Sequence, residues 1–297
     1  MSLVINNNLM AANAARNLSQ SFGALGNSVR RLSSGLRITT AADDAAGLAI
    51  RELMRSDIAA LNQGVRNAND AISMIQTADG ALQVIDEKLI RMKELAEQAA
   101  TGTYNSDQRM IIDSEYQAMA SEITRIANAT DFNGIYLLNG NLSSDTHNGT
   151  GLVSTGKMKV HFGTANDSSE DYYYVRIDNS TASALGVGNG ALSTSAGFSI
   201  STQSAAQNAL DGIKNAIVSK DKIRANLGAL QNRLENTISN LQIQSENLQA
   251  AESRISDVDV AIEMTEFVRQ QIKSQAAVSM LAQANSLPRM AMQLLGG

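Results

Sequence analysis

The sequence predicts a mainly α fold: a long coiled-coil-like helical hairpin rod with a small β-hairpin element inserted mid-sequence. Three observations predict it. Two heptad stripes lie at opposite ends of the 297-residue chain, and a repeat alternating steps of three and four puts one narrow apolar seam on each helix. The single proline is at position 288, so nothing breaks the helices before it, although an interior proline costs about 3 kcal/mol. Aromatics are only 4% and there is no Trp, which suits thin helical bundles better than thick globular cores.

The first stripe is Val4, Ala11, Ala15, Leu18, Phe22, Leu25, Val29, Leu32 and Leu36, with Asn8 as its polar gap. It predicts a helical arm of roughly 50 Å, closed by a turn at Gly35 and Thr39-Thr40. The opposite face is Asn, Ser, Gln and Ala, where a solvated helix would carry charge; the arm reads as covered on several sides. A second helix begins near Asp43-Asp44, whose charge suits a helix N-terminus, and runs to about Ala100 along Ile58, Leu61, Val65, Ala68, Ile72 and Ile75, then Ile85, Leu89, Met92, Ala96 and Ala99. Gly102 and Asn105-Ser106-Asp107 read as a stop and a new cap. A third helix follows on Ile112, Tyr116, Met119, Ile123 and Ile126.

At Asp131-Phe132-Asn133-Gly134 the character changes, Asn-Gly being a strong turn signal. Short strands are expected at 135–138, 157–162 and 171–177, from β-rich or alternating runs, with exposed loops at 139–156 and 163–170. Gly-rich 186–190 and a Ser/Thr stretch lead into the second stripe, which runs from Ile223 through Leu227, Leu234, Leu241, Leu248, Ile255, Val258 and Ile262 to Thr265 and predicts an unbroken helix of roughly 60 Å. The last segment is expected to be helical until Pro288. Each seam needs a helix to cover it, so the two ends are candidate partners, followed by other copies of the chain.

Net charge is −5 with no basic patch, which argues against nucleic acid as the main ligand. No apolar run approaches the ~20 residues a membrane span needs. The start lacks a basic segment followed by an apolar core, so no cleaved signal peptide is expected. There is no cysteine, hence no disulfide, thiolate metal site or thiol nucleophile. His147 and His161 sit in the polar middle without a motif, and Asp43-Asp44 and Asp257-x-Asp259 lie on helices where neighbouring side chains diverge. Five Asn-x-Ser/Thr matches, at Asn128, Asn141, Asn148, Asn166 and Asn179, follow a short and common pattern. Neither an enzyme nor a cofactor or metal site is expected.

Arg31-Leu-Ser-Ser-Gly-Leu-Arg37 followed by Ala41-Ala-Asp-Asp-Ala-Ala-Gly-Leu-Ala-Ile50 resembles the N-terminal signature of bacterial flagellin. Ser253-Arg-Ile-Ser-Asp-Val-Asp259 with Ala282-Gln-Ala-Asn-Ser-Leu-Pro288 resembles its C-terminal signature, and Asp131-Phe-Asn-Gly134 a third motif. The resemblance covers roughly residues 1–140 and 200–297. It implies a structural subunit that self-assembles into the helical filament of the bacterial flagellum for swimming motility. Residues 1–44 and 255–297 would form inner coiled-coil arms, 45–140 and 200–254 a helical rod domain, and 141–199 a short β-rich, solvent-facing variable segment. Inner-arm assembly would rest on Val4, Leu18, Phe22, Leu25, Val29, Leu32, Leu36, Ile255, Val258, Ile262, Val268 and Ile272.

The same resemblance implies type III export with a chaperone on the C-terminal arm, filament cap and junction proteins as partners, and an extracellular location. It also implies a site for the flagellin-sensing Toll-like receptor at Arg91, Lys93, Glu94, Leu95 and Gln98 with Glu115 on the next helix. Glu97 stands where the family commonly has a small or apolar residue. A hook–filament junction protein, which shares the arms, and a surface adhesin or host-binding module are the alternatives.

Overall fold

A computed structural model describes residues 8–148, 155–168, 170–188 and 199–295. Among these the elements run α1 (Leu9–Ser34), α2 (Ala45–Ala100), α3 (Ser106–Ala129), β1 (Asp131–Phe132), β2 (Ile135–Tyr136), β3 (Met158–His161), β4 (Tyr172–Val175), α4 (Ala182–Leu185), α5 (Gln203–Ser256) and α6 (Val260–Leu295). The mainly α class with small antiparallel hairpins is the one predicted. Val4 lies outside the described residues. The chain divides into two compact units, residues 1–58 with 246–297 and residues 59–245.

In the first unit α1 and α6 pair antiparallel. At one end the Asn8 amide donates to the Ala284 carbonyl at 2.8 Å, and at the other Arg31 faces Glu263 at 3.7 Å. Gly35 ends α1 in the left-handed conformation that glycine adopts without strain (φ 72°), its N–H donating to Arg31. The helix expected to run unbroken through 223–265 instead breaks at Asp257–Asp259. The incoming chain takes the backbone groups there: the Arg37 N–H donates to the Ser256 carbonyl at 2.7 Å and the Val258 N–H to the Gly35 carbonyl at 3.0 Å. Asp259 then restarts the helix by accepting from the N–H groups of Ala261 and Ile262. A periodicity argument sees side chains only, so it read through this backbone exchange. Position 288 does not end α6 as expected; the helix continues to Leu295, because a proline removes one interior hydrogen bond without forbidding the turn.

The second unit is built on the stripe of α2. Leu82, Ile85, Leu89, Met92 and Ala96 are fully buried, as are Tyr116 and Ile123 of α3 and Ile213, Ala216 and Leu227 of α5. Alanines at 68, 71, 78, 96, 120, 127, 206 and 209 complete this core, so the helices approach closely and aromatics are not needed. α2 and α5 are antiparallel. Their register is marked by Lys220 on Asp86 at 2.5 Å and Arg224 on Asp79 at 2.7 Å. Lys220 is 2% exposed and also meets Asp221 at 2.8 Å. The Asn105 cap forms the full reciprocal box with Gln108.

β1 and β2 close over Asn133 (φ 53°) and Gly134 (φ 79°), the two left-handed residues of the predicted tight turn. β3 and β4 pair Met158 with Val175 through His161 with Tyr172, within the expected strands and shorter at both ends. After β4 comes a short helix that the sequence does not predict, α4, whose Ala182 and Leu185 are buried with Ile177 and Val187. Four residues are too few for a 3.6-residue period to register.

Candidate functional site

The seam between α1 and α6 is narrow and small. Of the predicted arm residues, Leu18, Leu25 and Leu32 are half-buried against α6, at steps of seven. Among the residues whose burial is described, the buried positions of the pair are Ser28, Glu263, Ser274 and Ala284. A cavity of about 340 Å³ remains between the helices, lined by Met10, Ala14, Asn17, Ala277, Met280 and Ala284 among others. Such a seam buries little apolar area, and area removed from water is what holds helices together.

Five of the predicted large apolar side chains point the other way. Phe22 and Val29 of the same predicted stripe are exposed, as are Ile262 (70%), Val268 and Ile272 (60%). The structure therefore divides the twelve candidates. Leu36, Ile255 and Val258 are half-buried at the crossing of the two chain ends, and the exposed five lie on outer faces. On α6 the outer face is a stripe at steps of four, Val260, Met264, Val268 and Ile272. Leu9 and Met10 on α1, and Ile50 and Leu53 on α2, add to the exposed apolar surface of this unit. Val268 and Ile272 are among the twelve candidates; Val260, Met264, Leu9, Met10, Ile50 and Leu53 are not, and their signal in the sequence is a second apolar stripe offset from the first.

The turn from 36 to 44 is held by its polar residues. The Asp43 carboxylate accepts from the N–H and hydroxyl of Thr39 (3.1 and 2.9 Å) and from those of Thr40 (3.0 and 3.1 Å). These donors, the Thr39 hydroxyl foremost, hold its pKa down at about 2. Asp44, not Asp43, caps α2, accepting from the Gly47 N–H at 2.9 Å. A side chain at Gly47 would meet the Asp44 carboxylate and Ile38 within 3 Å. Arg51, buried, donates to the Ile38 carbonyl at 3.0 Å and so ties the turn to the first turns of α2.

On the second unit, Arg91 donates to Glu115 of α3 at 2.8 and 3.0 Å and to Glu94 at 2.9 Å. These carboxylates raise its pKa further, Glu115 most. Gln98, one further turn along, donates to the Tyr104 hydroxyl at 3.1 Å. Arg91, Glu94, Gln98 and Glu115 thus form one exposed polar strip. Lys93 is exposed on another flank, since residues two apart diverge on a helix. Leu95 is 2% exposed and belongs to the core beneath the strip. Glu97 is exposed. Among the described residues, no helix is long and apolar enough to cross a membrane.

Two family models match the chain: the bacterial flagellin N-terminal helical region over residues 5–143 and the bacterial flagellin C-terminal helical region over 210–295. A flagellin of Halalkalibacterium halodurans is 42% identical over 99% of this chain and 100% of its own length. The flagellar filament 33 kDa core protein of Treponema phagedenis is 40% identical over the same shares. The crystal structure of Bacillus cereus flagellin is 30% identical, covering 63% of this chain and 94% of that one with a TM-score of 0.45. Both signature-bearing ends and the full length of the relatives are accounted for, and this chain belongs to the bacterial flagellin family.

Proposed function

We propose that this chain is a structural subunit of the extracellular bacterial flagellar filament, self-assembling through its terminal helices to build the propeller for swimming. One observation carries the reading: the arms cover each other with Ser, Ala and half-buried Leu, and turn Phe22, Val29, Ile262, Val268 and Ile272 outward. Exposed apolar stripes of this kind mark association surfaces. A heterologous contact between copies that does not close generates a helical filament. The junction-protein and adhesin alternatives find no support among the relatives named above.

In the finer reading, residues 1–44 and 255–297 form the filament core, 45–140 and 200–254 the next layer, and 141–199 the solvent-facing segment. Export proceeds through the flagellar type III route, with a chaperone covering the apolar stripe of α6 before assembly and cap and junction proteins meeting the same arms. Electron microscopy of the full chain seeded with filament fragments, beside a truncation lacking 265–297, tests the assembly role. Long filaments from the intact chain and monomers from the truncation are expected; filaments from both would overturn it.

Recognition by a host flagellin-sensing receptor is proposed for the Arg91, Glu94, Gln98 and Glu115 strip, with Lys93 at its margin and Leu95 supporting it from the core. Arg91→Ala at unchanged helicity should reduce receptor signalling. Unchanged signalling would remove the assignment.

A further inference from the structure

The β3–β4 ladder separates its side chains by face. Met158, Val160, Phe162, Tyr173 and Val175 point toward the helices. There Gly64 lets the Phe162 carbonyl approach α2, and the guanidinium of Arg233 lies 3.5 Å from the centre of the Tyr173 ring. The other face, by alternation and register, carries Lys157, Lys159 and His161 opposite Arg176, Tyr174 and Tyr172. It holds Lys157, Lys159, His161 and Arg176, with two acids, Asp145 and Asp178, at its Arg176 end. The cations alternate with rings: the Lys157 ammonium stands 4.2 Å from the Tyr174 ring centre and the Lys159 ammonium 3.6 Å from that of Tyr172. Tyr172 and Tyr174 meet edge to face at 5.4 Å, and His147 and His161 flank them at 6.0 and 6.1 Å. Arg176 is engaged by Asp145 and Asp178. Neither lysine makes an ion pair with a described residue. Lys159 donates to the Asn166 amide oxygen at 3.1 Å.

A two-stranded sheet gains from cation–π contacts, but they leave ammonium N–H donors directed away from the rings. In a chain of net charge −5, two lysines without an ion pair among the described residues, set between rings, are complementary to an anionic partner that also offers ring surfaces. We propose that this face binds acidic polysaccharide, carboxylated or sulfated, the lysines receiving the anionic groups and the tyrosines stacking on sugar rings. The choice of polysaccharide over nucleic acid rests on the extracellular reading above; filament assembly, measured separately by pelleting, distinguishes failure of that reading from failure of this one.

The test is isothermal titration of the full chain at 50 mM and 300 mM NaCl with heparin and hyaluronate oligosaccharides, neutral dextran and a single-stranded oligonucleotide. Binding to both acidic sugars, weakened by salt and absent for dextran, is expected. A charge-assisted hydrogen bond is worth roughly tenfold in affinity, so K157Q/K159Q should weaken binding about a hundredfold, and Tyr174→Ala less. Circular dichroism should show the helices of each variant unchanged. No binding at 50 mM NaCl, equal binding by the double variant, or an oligonucleotide bound as tightly as the sugars would each overturn the proposal.

Discussion

Replacing Ile262 and Ile272 by serine separates the assembly surface from the fold. Both lie on α6, 70% and 60% exposed. Serine and isoleucine have similar helix propensity, and substitutions at such positions change monomer stability by about 0.5 kcal/mol or less each. In a filament that covers them the balance differs. Full burial of an isoleucine is worth about 1.5–3 kcal/mol; scaled by the exposed fractions, each side chain has about 1–2 kcal/mol left to gain from a neighbouring copy. The pair should cost about 2–4 kcal/mol per subunit added, which raises the critical concentration for growth roughly thirty- to several-hundred-fold. Sedimentation of seeded filaments measures that concentration, and thermal melting of the monomer checks the fold. Leu89→Ala is the opposite control: a buried leucine whose loss should lower monomer stability by about 2–5 kcal/mol. An I262S/I272S chain that assembles at the wild-type concentration would show that these side chains stay exposed in the filament.

Three further outcomes are expected. Gly64→Ala would place a methyl 2.0 Å from the Phe162 carbonyl oxygen; the strand must lift, costing about 1–3 kcal/mol, seen as a lower melting temperature and faster proteolysis within 163–170. Asp86→Ala leaves the buried Lys220 ammonium with Asp221 alone and should cost about 1–3 kcal/mol, whereas Lys220→Met, which removes the charge itself, should cost less in the same denaturant titration. The Asp43 carboxylate has its folded pKa at about 2 against an ordinary value of 3.8. Its stabilisation is therefore complete above pH 4 and lost as the pH falls through 2; the melting difference between wild type and Asp43→Asn should close across that window.

The long elements were legible because side-chain period reports helices directly: α2, the Asn105 cap and the Asn133-Gly134 turn stand where the sequence places them. The break at Asp257–Asp259 was not, since it is made by backbone groups of Gly35 and Arg37, far away in sequence. The arm residues were recognised as apolar, but their partners were not. Period alone does not say which of two stripes meets the other helix of the same chain, and here the smaller residues do: Ser28, Ser274 and Ala284 face inward while Ile262 and Ile272 face out. Leu95 shows the same limit, a core residue within a run that the resemblance assigns to receptor binding.

On this reading the terminal helices are completed by other copies of the chain. Amide hydrogen exchange on monomer and filament tests it most directly. Residues 9–34 and 260–295 should exchange rapidly in the monomer, because their shared seam buries little, and become strongly protected in the filament, while residues 68–99 are protected in both. Equal protection of the terminal helices in the two states would contradict it.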